Sequence, residues 1–216
     1  MFGLGKVNSV ETLLINNPLL ANNSLVAKTI RQAEGLFIAG GNQWNYIHLW
    51  NHSPVGDAIN YLINIKKVPV GGTSASCAVL GGLSYDAHKG SITSTEALQN
   101  PYDTSFTLTK DFLHIPVLRN TITDSHYDTR KRQGRNVAFI ARSYTDWSLV
   151  IRGIGVSEKT AVAVDKKNIA TVFSKGDAYF LLPISKNGPP EQCETGKPLT
   201  WNKGGKAIKV YIVPGS

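Results

Sequence analysis

The sequence predicts an α/β fold with a mostly parallel sheet and a strand-rich C-terminal part, on three observations. Short apolar runs alternate with helix-patterned stretches through the first half, the order that parallel strand-helix-strand units require. The glycine pairs of LFIAGG and VPVGG close two of those runs, as turns leaving buried strands do. A chain of 216 residues, 42% apolar and 18% charged, can bury one full core and is globular rather than disordered.

The elements follow in order. SVETLLI, Ser9 to Ile15, reads as a first strand. NSLVAKTIRQAEG then places Val26, Ile30 and Ala33 on one helical face, with Asn23 as its cap and Gly35 as its stop. LFIAGG is a buried strand entering a Gly-Gly-Asn turn. The next helix begins at Ser53-Pro54, a capping residue followed by proline at the first helical position. It carries Val55, Ile59 and Leu62 inward and ends in Lys66-Lys67, charges that suit a helix C-terminus. VPVGG is the following strand, in which Pro69 removes one ladder donor. Later, NVAFIARSY, SLVIRGIGVS, TAVAVD, IATVFS and AYFLLPI read as short strands between turns. Ser185 to Gly205 has the proline, glycine and polar content of a loop.

The net charge of +8 is densest in DTRKRQGR, Asp128 to Arg135. Such a run suits a nucleic-acid contact, a solvated basic face, or an arginine cluster that grips a carboxylate-bearing substrate. No aromatic-interleaved or recognition-helix motif accompanies it, so a nucleic-acid partner is not expected. No apolar run approaches the roughly 20 residues that span a bilayer, and the N-terminus lacks a signal peptide's basic region and apolar core. A cytoplasmic protein without a membrane partner is the expectation. Cys77 and Cys193 lie far apart with no CxxC spacing, which indicates neither a metal site nor a disulfide framework, and no cofactor is implied.

Chemistry concentrates at two places. Gly72-Thr73-Ser74-Ala75-Ser76 matches the G-x-S-x-G nucleophile elbow except at its last position, in the strand-to-helix context the motif needs. A serine there also reads as a plain helix N-cap. Cys77, one turn on, reads as packing. A nucleophilic serine needs a base, and the base an orienting acid. Of His48, His52, His88, His114 and His126, only the last keeps suggestive company: Asp124, Arg130, Arg132 and Arg135. If the chain is extended there, Asp124 and His126 face the same side.

AGGNQ, GTSAS, DSHYDTRKRQGR and GIGVSEKTA, in this order, resemble the motifs of the cyanophycinase group of the peptidase S51 family. The resemblance spans Lys6 to Val213 and implies a serine hydrolase on a three-layer α/β/α, flavodoxin-like fold similar to class I glutamine amidotransferases. It implies Ser74 as nucleophile, His126 as general base and Glu158 as the acid orienting it. The backbone N–H of Ala75 and one from the Gly40-Gly41 turn, at Gly41, would meet the oxyanion. Gln43, Asp124, Ser125, Arg130, Arg132 and Arg135 match positions the family uses around its substrate. That substrate class is an aspartyl peptide: a β-linked aspartyl-arginine polymer, or a dipeptide in relatives of the same fold, with the arginines holding carboxylates and an acid holding a guanidinium. Asn42, Ser76, Cys77, Ser125 and Ser157 depart from the family pattern, and a catalytically silent ligand-binding relative is the alternative of a different class. Relatives begin with a further strand for which there is no room before Lys6. One domain, 1–216, lacking that first strand and the extreme C-terminus is therefore expected, with a homodimer partner as one source of the strand.

Overall fold

The computed structural model describes residues 7–216. Its elements are α1 (Pro18–Ala21), α2 (Ser24–Gln32), β1 (Leu36–Ile38), α3 (Gln43–Trp50), α4 (Pro54–Tyr61), β2 (Val70–Gly72), α5 (Ala75–Ala78) and β3 (Leu83–Tyr85). They continue with α6 (Ser94–Gln99), β4 (Leu108–Lys110), β5 (Thr121–Asp124), α7 (Gln133–Trp147), β6 (Arg152–Val156), β7 (Thr160–Val164), β8 (Ala170–Ser174), β9 (Asp177–Pro183) and β10 (Ile208–Pro214).

The fold is mixed α/β. β1 and β2 pair in parallel, and a six-stranded sheet runs in the order β10-β9-β6-β5-β3-β4. Its centre, β3-β5-β6, is parallel, whereas β4, β9 and β10 join antiparallel at the margins. β7 and β8 form a separate antiparallel hairpin. Apolar side chains gather in two clusters. One lies among α2, α3 and α4, around Ile30, Ile47, Trp50, Val55, Ile59 and Leu62. The other packs α6 and α7 on the sheet through Ala97, Phe139, Ile140, Ile122, Ile151 and Leu181. No helix among the described residues is long and apolar enough to cross a membrane.

Local chemistry explains the boundaries. Asn23 caps α2 by accepting from the N–H groups of Leu25 and Val26, and Ser53 caps α4 by accepting from Gly56 N–H, with Pro54 at the first helical position. α4 widens into a π-helical turn, Leu62–Lys66, that Lys67 ends in the left-handed conformation. Lys66 does not serve its own helix end. Its Nζ donates to Gln32 O at 2.7 Å and Ala33 O at 2.8 Å, closing the C-terminus of α2.

Two expectations need correction, and one helix was not anticipated. Residues 9–15 form no strand: they are largely exposed and pair with no neighbouring strand, and an unpaired extended segment has nothing to satisfy its backbone. NVAFIARSY is not a strand but the middle of α7, with Ala138, Phe139, Ile140, Ala141 and Ser143 buried. A short apolar run fits either state, and here length and neighbours choose the helix. α3 was not foreseen at all. Its apolar residues Trp44, Tyr46, Ile47 and Trp50 follow so closely on the glycine turn that they read as its continuation.

Candidate active site

β2 ends at Gly72, where the chain turns into α5 within two residues. Ser74 sits on that corner at φ 55° and ψ −119°, a conformation that costs a residue with a Cβ about 1–3 kcal/mol. Gly72 makes the corner possible, since a Cβ there would stand 2.9 Å from the backbone carbonyl group of Ser76. Although Ser74 occupies the N-cap position of α5, its side chain caps nothing. Its Oγ lies 2.9 Å from Nε2 of His126 instead.

His126 leaves the end of β5 with φ 49°, so the segment is not extended and Asp124 and His126 do not share a side. Tyr127, fully buried, anchors the turn, its N–H donating to Val156 O at 3.2 Å. The ring of Tyr127 lies against Gly155, where a Cβ would come within 2.3 Å of it, so Gly155 makes room for the histidine's anchor. The imidazole Nδ1 is 2.9 Å from Oε1 of Glu158, which also accepts from Thr129 Oγ1 at 3.1 Å. Glu158 is held in turn by Asp128, whose Oδ1 accepts its backbone N–H at 3.2 Å. The hydrogen bonds from His126 and then Thr129 hold the Glu158 carboxyl below its ordinary range, so the acid stays ionised beside the imidazole. Burial, then the neighbouring Asp124, pushes the Cys77 thiol up to about 12, which leaves it a poor nucleophile.

A cleft of about 330 Å³ opens over Ser74. Gly41, Gln43, Ala75, Ser125, Arg130, Arg132 and Arg135 all line it. Gln43 opens α3 and donates from Nε2 to Tyr85 O at 3.3 Å, while Asn42 caps α3 by accepting from Trp44 N–H as an aspartate would. Ser125 Oγ donates to Ser74 O at 3.1 Å. The arginines are not equivalent. Arg135 binds Asp124 through Nε at 2.8 Å and Nη2 at 2.7 Å, and lies over the rings of Tyr85 and Phe139. Arg132 donates to Asp124 Oδ1 at 3.1 Å and to Ser125 O at 2.9 Å. Arg130 has no side-chain partner among the described residues.

Asp124 is the expectation that fails here. Its side chain is 1% exposed, both its oxygens are taken by arginines, and it does not line the cleft. It therefore neutralises buried guanidinium charge under the cleft and is not available to a substrate's cation. Thr129, Tyr46 and the hydroxyl of Ser76 are contributors that sequence reasoning missed. Thr129 carried one signal, its place three residues after the histidine. Among the described residues no group of His, Cys, Asp and Glu gathers as metal ligands.

No protein-family model matches the chain. It is 25% identical over 174 residues to a cyanophycinase of Trichormus variabilis, an alignment covering 81% of this chain and 53% of that protein. A cyanophycinase of Synechococcus elongatus is 23% identical over 177 residues, covering 82% of this chain and 50% of its own. The chain thus spans about half the length of the curated relatives it matches, and the resemblance carried by its motifs stands. Among solved structures, a peptidase from an acI-B1 Actinobacterium superposes with a TM-score of 0.52 at 15% identity, over 74% of this chain and 57% of that one, a likeness of fold.

Proposed function

We propose that the chain is a serine-type peptidase that cleaves aspartyl peptide bonds, of the β-aspartyl-arginine kind, by a Ser-His-Glu mechanism. The observation that carries the proposal is the unbroken relay of Ser74 Oγ, His126 and Glu158 at 2.9 Å and 2.9 Å, mounted on a strained corner. Ser74 Oγ attacks the scissile carbonyl while His126 Nε2 takes its proton. The imidazolium returns that proton to the leaving amine, and Glu158 holds the ring with Nδ1–H toward it. Water, activated by the same imidazole, then releases the acyl group and restores Ser74. Gly41 and Ala75 line the cleft with Ser74, and their N–H groups would meet the tetrahedral oxyanion.

The cleft's charge supports an anionic substrate. Three arginines face one buried acid that two of them already occupy, so a substrate carboxylate completes the balance, with Arg130 the guanidinium open to it. The cleft, about 330 Å³, has room for a dipeptide-sized portion of a substrate, since ligand clefts run from roughly 300 to 1,000 Å³. The test is a serine-reactive fluorophosphonate, its adduct mapped by mass spectrometry in the wild type and in Ser74→Ala. Labelling confined to Ser74, together with hydrolysis of β-aspartyl-arginine, is expected. A folded wild type that neither labels nor cleaves any of a panel of aspartyl peptides refutes the proposal and leaves a silent binding protein in its place.

A further inference from the structure

Ser76 stands where the elbow motif ordinarily has glycine, and it is completely buried. A side chain fits there because its neighbour across the corner, Gly72, has none. The Ser76 hydroxyl lies 2.6 Å from Ile38 O, 2.7 Å from Thr73 O and 2.9 Å from Ala39 O, and accepts from Thr73 N–H at 3.2 Å. Its single proton serves one carbonyl at a time, Ile38 O being the nearest, while Ile38 O also accepts from Thr73 N–H at 3.3 Å and Thr73 O from Ser76 N–H at 3.1 Å. The Ile38 carbonyl ends β1, that of Ala39 comes immediately before the Gly40-Gly41 turn, and the third precedes Ser74. Tyr46 reaches the same place from α3, its Oη donating to Ala39 O at 2.9 Å. The turn is pressed against the nucleophile closely enough that a Cβ on Gly40 would stand 3.0 Å from Cβ of Ser74.

We infer that Ser76, with Tyr46, is a positioning clamp that sets the gap between the two oxyanion-binding N–H groups, those of Gly41 and Ala75. The clamp touches neither substrate nor reacting atoms. It joins the segment that carries one donor to the segment that carries the other, reinforcing the backbone hydrogen bond from Thr73 N–H to Ile38 O at 3.3 Å that continues the β1-β2 pairing there. A charge that develops only in the transition state is sensitive to donor placement, whereas ground-state binding is not. The inference rests on the serine-peptidase reading and deepens it.

The test uses Ser76→Ala, Ser76→Gly and Tyr46→Phe in the full chain, reading the rate of fluorophosphonate labelling at Ser74 and the kcat and KM for β-aspartyl-arginine. Both Ser76 variants are expected to lose about tenfold in labelling rate and kcat, short of the ~100-fold cost of a full 1 Å misplacement, with KM essentially unchanged. Tyr46→Phe, which removes one outer hydrogen bond, is expected to lose about threefold in the same two quantities and to keep the wild-type melting temperature. Unchanged kcat and labelling, or a loss confined to KM, overturns the clamp. If the Ser76 variants fail to fold, Tyr46→Phe decides by the same criteria. An unlabelled wild type refutes the serine reading itself, and a labelled wild type with indifferent variants refutes only the clamp.

Discussion

At the scale of single residues, the site depends on where charge is allowed to sit. Glu158 is half-exposed, its side chain 46% accessible, whereas Asp124 is sealed beneath the cleft at 1%. An acid that orients a histidine from the surface is screened by water, so its loss should cost less than the ~10⁴-fold drop recorded when a buried triad acid is neutralised. Glu158→Gln is expected to lower kcat about 100-fold with little change in KM. The pH behaviour follows from sign. The Glu158 carboxyl titrates below its ordinary value of 4.5, so its pairing is intact above that value and is lost only as pH falls through the lowered one. Above pH 4.5 the wild type therefore keeps the negative charge that Glu158→Gln lacks, and the ratio of their kcat values, each taken on the plateau of its own pH profile, should stay at about 100. Equal plateau values would remove Glu158 from the mechanism.

At the scale of elements, the legible and the hidden separate by how local their cause is. The elbow could be read because Gly72, Ser74 and Ala75 fall within four consecutive residues, and the strand-turn-helix geometry that their small side chains allow is what the structure contains. The caps at Asn23 and Ser53 were legible for the same reason. Residues 136–144 were not, because nine apolar-rich residues carry no internal mark that separates strand from helix. What makes them helical is distant: Gly134 packs within reach of Ser94 and Leu98 of α6, and Asn136 lies under Gly153 of β6. The role of Asp124 was hidden likewise, since its partnership with Arg135 depends on α7 being a helix that returns its first turn over the end of β5. The elbow offers the sharpest test at this scale. Gly72→Ala drives a Cβ into the backbone of Ser76, which has no flexible end to move, so it should destabilise the protein by about 1–3 kcal/mol and abolish labelling at Ser74. A variant that melts and labels as the wild type does would mean the corner is looser than its contacts require.

At the scale of the whole molecule, a net charge of +8 and a cleft lined by three arginines act together over distances that no single contact reaches. A field of one sign focused at a cleft raises the encounter rate of oppositely charged ligands by about 10- to 1,000-fold, and salt removes that advantage. Screening lengths shrink from about 10 Å at 0.1 M to about 3 Å at 1 M, so the guanidinium of Arg130, which has no partner among the described residues, should lose its reach first. Arg132 and Arg135 are partly neutralised by Asp124 and contribute less. For a substrate bearing a free carboxylate, kcat/KM is therefore expected to fall about tenfold between 0.02 M and 0.5 M salt. The amide analogue of the same peptide should show a much flatter dependence. Arg130→Ala should begin at the low rate and respond weakly to salt, because the variant has already lost what salt would screen. Equal salt responses for the charged and the amidated peptide would show that the arginines serve the fold alone, and the choice of an anionic substrate would fall while the Ser74, His126 and Glu158 relay would stand untouched.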